Sequence, residues 1–334
     1  MKYRNSILFI VLTLTVVVFF AIDMATGTTN IPLGDVWAAL TGGDCPPTTK
    51  KIILNIRLLK AIVALIAGAA LSASGLQMQT LFRNPLAGPY VLGISSGASL
   101  GVAIFILGAP FIGITGSAAF SALGIAGAAW IGAALVLAII AAISTRIKDI
   151  MVILILGIMF GSGVSAIVQI LQYLSNENAL KAFVVWTMGS LGDVTIVQLS
   201  LLLPAVIVGL VLAVVVVKPL NLLLLGESYA RTMGLNIGRS RQLIFISTIL
   251  LAGTVTAFCG PIGFIGLAVP HLARFVFADA DHRILMPGSV LIGAAVMLLC
   301  DIVSKLLTLP VNSITALMGI PIVIWIILRN KNIT

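Results

Sequence analysis

The sequence predicts an all-α, polytopic membrane protein of about ten transmembrane helices with both termini in the cytoplasm. Three observations carry that prediction: too little charge for a water-soluble surface, ten apolar runs of helical length, and a lopsided distribution of basic residues. Of 334 residues, 60% are hydrophobic and only 9% charged, against about 45–50% and about 25% in soluble domains. A mean hydropathy of +1.22 excludes a soluble enzyme, a disordered chain and a fibrous protein. A pI near 9.8 would suggest nucleic acid in a soluble protein. In a membrane protein it asks which side of the bilayer holds the positive residues, and no nucleic-acid partner is expected.

A helix needs about 20 apolar residues to cross the hydrocarbon core. The candidate runs are Ser6–Ile22, Leu58–Leu81, Val91–Leu107, Ala118–Ile143, Ile150–Tyr173, Val197–Val217, Gln242–Cys259, Phe264–Phe277, Ile284–Lys305 and Ser313–Leu328. The first has the basic flank of a signal peptide in Lys2 and Arg4. Asp23-Met24 stands where a cleavage site would be, so it reads as an uncleaved span. The eighth is short and fenced by Pro261, Gly263 and Pro270, which suits a broken helix.

With ten spans and the termini inside, thirteen of the nineteen basic residues fall on the cytoplasmic side. The outer six are Lys50, Lys51, Arg57, Lys60, Lys181 and Lys305. Four acids lie inside and six outside, so the whole net charge of +9 belongs to the cytoplasmic face and the outer face sums to zero. That asymmetry supports the orientation.

Between the spans, Asn30-Ile-Pro-Leu-Gly-Asp reads as the start of a short outer helix through Trp37, stopped by Gly42-Gly43. A second outer loop, Leu174 to Ile196, carries Trp186 and the turn Gly189-Ser-Leu-Gly192. The inner segment 218–241 holds a short helix, about Glu227–Met233, closed by Gly234. Glu227 and Arg231 are spaced to pair on it. It is either a solvated connector or a knob for a cytoplasmic partner.

Small residues recur every four positions: Gly93, Gly97 and Gly101; Gly124, Ala128 and Gly132; Gly157 and Gly161. Such faces let helices approach closely. The fifth span adds Ser162, Ser165 and Gln169 beside its glycines, a stripe able to line a passage or to bond a neighbouring helix.

Other chemistry is missing. No Gly precedes a Lys, so there is no phosphate-cradling Gly-Lys-Ser/Thr loop, and the chain is expected to bind no ATP itself. Cys45, Cys259 and Cys300 are too scattered for a disulfide framework or zinc site, and the last two read as buried small hydrophobes. His271 reads as satisfying a local hydrogen bond, His282 as part of a solvated turn. Ion-coupled pumps keep carboxylates at mid-membrane; here the one span acid is Asp301, near an outer helix end and four residues before Lys305. The chain therefore takes its energy from elsewhere or forms a passive pore.

Several stretches together resemble a known family: Arg57-Leu-Leu-Lys60, Gly68-Ala-Ala-Leu-Ser-Ala-Ser-Gly-Leu-Gln77, Arg83-Asn-Pro-Leu-Ala-Gly-Pro89, Leu92-Gly-Ile-Ser-Ser-Gly-Ala98, Trp186-Thr-Met-Gly-Ser-Leu191, Leu225-Gly-Glu-Ser-Tyr-Ala-Arg-Thr-Met-Gly-Leu235, Gly260-Pro-Ile-Gly-Phe-Ile-Gly-Leu-Ala-Val-Pro-His-Leu-Ala-Arg274, Asp279-Ala-Asp-His-Arg283, Asp301 and Gly319-Ile-Pro321. Ordered and spaced in this way over nearly the whole chain, they are similar to the FecCD-type permeases, membrane subunits of ABC importers for iron–siderophores, haem and cobalamin. The resemblance implies a single permease domain over 1–334. It implies a homodimer with two separate ATPase subunits, which bind the ATP and Mg and leave this chain without a cofactor or catalytic role, and an external substrate-binding protein. It further implies the bacterial inner membrane as the setting and alternating access as the mechanism.

Carried residue by residue, the resemblance assigns ATPase coupling to Leu225, Gly226, Glu227, Ala230, Arg231, Gly234 and Leu235. It assigns binding-protein docking to Arg57, Lys60 and Lys305. Under alternating access the translocation path is expected along the fifth span at Gly157, Gly161, Ser162 and Ser165, and the inner gate at Arg146, Lys148, Asp149 and Met151, where the loop after the fourth span feeds the fifth. Lys60 and Lys305 stand where the family often has arginine, and a lysine is a point charge where arginine is a planar fork. Thr195 replaces a tryptophan common after the Gly-Ser-Leu turn, so that outer loop is expected to differ in detail. Two rival readings are a secondary transporter, which needs membrane carboxylates, and a purely structural membrane scaffold.

Overall fold

The computed structural model describes residues 2–27, 29, 31–108, 122–147 and 149–330. Lys148 of the expected gate, Asn30, Lys331 and the first four residues of the fourth predicted span lie outside the described residues. The described chain is helical throughout: α1 Lys2–Ala25, α2 Leu33–Thr41, α3 Pro47–Leu81, α4 Ile94–Ile106, α5 Ala122–Arg146, α6 Ile150–Leu174, α7 Glu177–Thr187, α8 Ile196–Val215, α9 Val217–Leu224, α10 Glu227–Thr232, α11 Ile237–Cys259, α12 Ile265–Phe277, α13 His282–Leu307 and α14 Val311–Asn330. Seven of these are long and apolar enough to cross a membrane: α1, α3, α5, α6, α8, α11 and α13. The shorter apolar helices α4, α12 and α14 coincide with the remaining three predicted runs.

α3 is the axis of the fold. From Ala61 to Leu81 nearly every side chain is buried, including the polar Ser72, Ser74, Gln77 and Gln79. α13 and α12 pack along it at backbone distance. A Cβ placed on Gly75 would lie 1.7 Å from the carbonyl oxygen of Gly266, so only glycine fits that crossing. The second close pair joins α4 to α5, where a Cβ on Gly101 would meet the Ala128 carbonyl at 2.0 Å. The four-residue repeats of small side chains are thus packing faces. Buried polar atoms bind α3 to α11 and α8: the Gln77 amide donates to Ser247 Oγ at 2.9 Å, and Ser247 donates to the Gly209 carbonyl at 2.9 Å. In an apolar medium such bonds fix register, because a slipped helix would strand both partners.

Contacts sort the charged residues to two ends. Arg4, at the start of α1, donates to the Phe277 carbonyl at the C-terminus of α12, where a cation suits the exposed carbonyls. At the other end of α1, Asp23 meets Lys305. α1 runs to Ala25, so Asp23 is a helix residue and Asp301 is not the one acid within the spans. Cys259 and Cys300 are buried, as expected.

Three local expectations change. The outer segment after α6 contains α7, capped by the Asn176 side chain on the Ala179 N–H. Thr195, which replaces the family's tryptophan, caps α8 through a reciprocal box with Gln198, the signature of a helix start. His282 is not on a solvated turn. It is 1% exposed, with its ring nitrogens 2.7 Å from Thr80 Oγ1 and 2.7 Å from Asn221 Oδ1. The preceding Asp281 caps α13 and so draws His282 inward. His271 is satisfied by a hydrogen bond, but not a local one: its ring lies 2.7 Å from the Pro85 carbonyl, 186 residues away in the chain.

Candidate functional site

The fifth-span helix α6 presents a groove of about 450 Å³ shared with the short turn Pro89–Leu92 and the start of α4. Gly157, Gly161, Ser162, Ser165 and Gln169 line it from α6, and Tyr90 and Ser96 face them. The glycines serve two ends. A Cβ on Gly157 would sit 2.6 Å from the Val91 carbonyl, and one on Gly161 would sit 3.1 Å from Ser96 Oγ, so they seat α6 against α4 and leave the groove wide. Ser162 and Ser165 donate their hydroxyls to their own helix, to the Ile158 and Gly161 carbonyls. Toward the groove they present weak acceptors only. Elsewhere α6 is largely uncovered, with Ile155, Met159 and Ile170 more than half exposed.

At the other end of α6, Asp149 Oδ1 accepts the Met151 N–H at 2.8 Å and caps the helix. Arg146, the last residue of α5, is exposed, and Met151 is half exposed. The expected gate segment is therefore a capped turn with a cation and a flexible apolar side chain at its surface.

The segment 218–241 forms α9 and α10 in tandem. The backbone reverses at Gly226 (φ +103°) and again at Gly234 (φ +81°), conformations that glycine adopts without strain. Ala230 is fully buried, Leu235 returns its N–H to the Ala230 carbonyl at 3.0 Å, and Leu225, Tyr229 and Met233 stand outward, each about half exposed or more. The result is a short helix with one side rooted and an apolar crest outside. Glu227 does not pair with Arg231. Its partner is Arg241 at the start of α11, and Arg231 is left on the exposed side. Arg241 is buried and Glu227 partly so; an ion pair shielded from water gains more than one on an exposed helix face.

A network that sequence reasoning did not find anchors this segment. Asn221 of α9 donates to Asp281 Oδ1 at 2.6 Å and accepts from the His282 N–H and ring. His282 reaches α3 at Thr80, and Arg274 of α12 donates to Gln79 at 2.6 Å. The Arg283 N–H, with help from the Asn221 amide, holds the Asp281 carboxyl below its ordinary range. The segment 218–241 is thereby wired to α3, α12 and α13.

At the opposite end the three expected docking cations have partners inside the fold. Arg57 is 3% exposed. Its guanidinium donates to the carbonyls of Met24 (3.1 Å), Ala25 (2.9 Å) and Thr29 (2.5 Å), closing the C-terminus of α1. A Cβ on Gly27 would lie 2.7 Å from Arg57 Nη2, so the glycine makes room for the arginine. Lys60 lies 2.9 Å from Asp301, and Lys305 lies 3.0 Å from Asp301 and 2.8 Å from Asp23. The i,i+4 pairing of Asp301 with Lys305 is as spaced in the sequence; the two cross-chain pairs are additional.

Many membrane helices around glycine crossings, an uncovered grooved helix, and a rooted surface helix at one end define a polytopic transport permease. The chain belongs to the FecCD transport family, whose profile matches residues 14–329. It is 39% identical over 289 residues to the hemin transport system permease protein HmuU of Yersinia pestis, covering 84% of each chain. It is 35% identical over 332 residues to the vitamin B12 import system permease protein BtuC of Salmonella paratyphi A, covering 98% of this chain and 96% of that one. Among solved structures it matches a metal-chelate type ABC transporter in an inward-facing conformation, with a TM-score of 0.83 and 28% identity over 96% of this chain and 98% of the other. The chain is thus the permease subunit of an ABC importer, a multi-pass inner-membrane protein and not an enzyme. Permeases of this family work with an ATPase and a substrate-binding protein.

Proposed function

We propose that two copies of this chain form a path for a metal chelate of the haem, cobalamin or iron–siderophore type, and that ATP-driven alternating access moves it inward. The observation that carries this reading is the α6 groove. Its small, weakly polar lining suits a large chelate that must pass without being held, and the uncovered surface beside it suits a second copy of α6 across a two-fold axis. α10 is the contact for the motor subunits, which bind the ATP and Mg. Its exposed Leu225, Tyr229 and Met233 provide the interface, and the Asn221–Asp281–His282 network passes the movement to the membrane helices. The turn from Arg146 to Met151 is the inner gate. Lys60 and Lys305 mark the outer docking site, while Arg57 supports that surface from beneath.

A secondary-transport reading finds no foothold among the described residues. The two acids within the spans, Asp23 and Asp301, are both at the outer end and both paired with lysine. The test is uptake of haem, cobalamin and a ferric siderophore into proteoliposomes holding the permease, its ATPase and its binding protein. Uptake of one of the three that requires internal ATP supports the proposal; ATP-independent uptake down an ion gradient would sink it.

A further inference from the structure

The outer charge cluster contains two lysines and two aspartates. Asp23 and Asp301 are both 0% exposed, and a buried carboxylate is tolerated only when paired. Neither oxygen of Asp301 has a hydrogen-bond partner, nor has Asp23 Oδ2, so ion pairing is the main compensation Asp301 receives. The two lysines are not equivalent. Lys305 is held by three contacts, to the Asp23 carbonyl (3.1 Å), Asp23 Oδ1 (2.8 Å) and Asp301 Oδ2 (3.0 Å), and its side chain is 7% exposed. Lys60 has one, to Asp301 Oδ1, and its side chain is 21% exposed. A cavity of about 300 Å³ opens beside this pair, between Ser190, Leu191, Ser304 and Leu309.

We propose that Asp301 is the resting counter-ion of Lys60, and that a carboxylate from the docking substrate-binding protein enters this cavity and takes Lys60 in exchange. The inference rests on the docking reading above and adds what sets its strength. When Lys60 turns away, Asp23 and Asp301 are left to share the one ammonium of Lys305, so the exchange carries a cost that docking must offset. On Lys60 itself one carboxylate replaces another, and the cost falls on the buried acids it leaves behind. Docking is therefore specific in register but readily reversed, as a permease that must release its binding protein each cycle requires. The buried aspartates act as positioning and tuning residues: at rest they cancel the positive charge that would otherwise attract acidic proteins indiscriminately.

The test measures binding of the system's own substrate-binding protein, fluorescently labelled, to the permease–ATPase complex in nanodiscs, for the unaltered permease, Lys60→Gln, Asp301→Asn and the double variant. Lys60→Gln should weaken binding by about tenfold or more, and Asp301→Asn should tighten it by roughly three- to tenfold with a steeper salt dependence. In the Lys60→Gln background Asp301→Asn should bring no tightening. If Lys60→Gln weakens binding while Asp301→Asn leaves it unchanged or weaker, the counter-ion role is overturned and docking at Lys60 stands. If Lys60→Gln has no effect, docking at Lys60 fails and the inference with it. A second measurement uses the unaltered protein, so folding of the variants does not decide the matter. Zero-length carbodiimide crosslinking should join Lys60 to an acidic residue of the binding protein in the docked complex. No link between Lys60 and the binding protein in the docked complex refutes the exchange.

Discussion

The two ends of the molecule solve the problem of meeting a partner in opposite ways. At the outer end, cations that the sequence shows as available are folded inward and neutralised by buried acids or carbonyl oxygens. At the inner end, α10 buries its small residue, Ala230, and leaves Leu225, Tyr229 and Met233 uncovered. On the proposed reading, the outer surface is prepared for exchange of partners and the inner one for a lasting apolar contact. The difference suits a subunit whose binding protein comes and goes while its motor stays attached.

The strongest challenge to that contrast is Lys305→Met. It leaves Asp23 without a cation, and an uncompensated buried charge costs about 3–5 kcal/mol. A drop of that size is expected in the denaturation of the detergent-solubilised protein, with partial recovery on adding Asp23→Asn; an unchanged midpoint would show that the cluster is solvated. Arg57→Ala comes next. It strands several carbonyls at the end of α1 and is expected to cost about 1–3 kcal/mol, with Arg57→Lys recovering little because an ammonium cannot span three acceptors as a fork does.

Asp281→Ala removes the cap of α13, a loss of about 0.5–2 kcal/mol, and frees Asn221. The sign with pH follows. The Asp281 carboxyl titrates lower in the folded protein than in the unfolded chain, so its contribution is complete above the ordinary carboxylate range and disappears as pH falls through the depressed value. The variant and the parent should therefore converge in stability toward acid.

The smallest effect on stability, and the sharpest on function, belongs to Leu225→Asp with Met233→Asp. These exposed positions should change stability by less than about 0.5 kcal/mol, while stimulation of the ATPase by the loaded binding protein is lost. Full stimulation would end the assignment of α10 as the motor contact.

Much of this was readable in the sequence because its causes are local. Apolar run length set the helices, glycine at four-residue spacing set the crossings, and Gly226 and Gly234 bracketed α10. What escaped depends on residues far apart in the chain. Glu227 looked toward Arg231 by helix spacing, yet its partner comes from the next helix. His282 looked solvated because Asp279, Asp281 and Arg283 surround it, but its bonding partners are Asn221 and Thr80, 61 and 202 residues away. Spacing offered Lys305 only Asp301, because its second partner, Asp23, stands 282 residues away. Charge counts place such residues on a side of the membrane without saying which of them have already found each other.

The arginine under the outer surface has a consequence for variation. Because the guanidinium of Arg57 occupies the space where a side chain at position 27 would begin, the two positions constitute a single choice. Relatives that keep the arginine are expected to keep glycine at the matching site, and those that shorten it to be released from that constraint. The pair should covary across the family although thirty residues separate them.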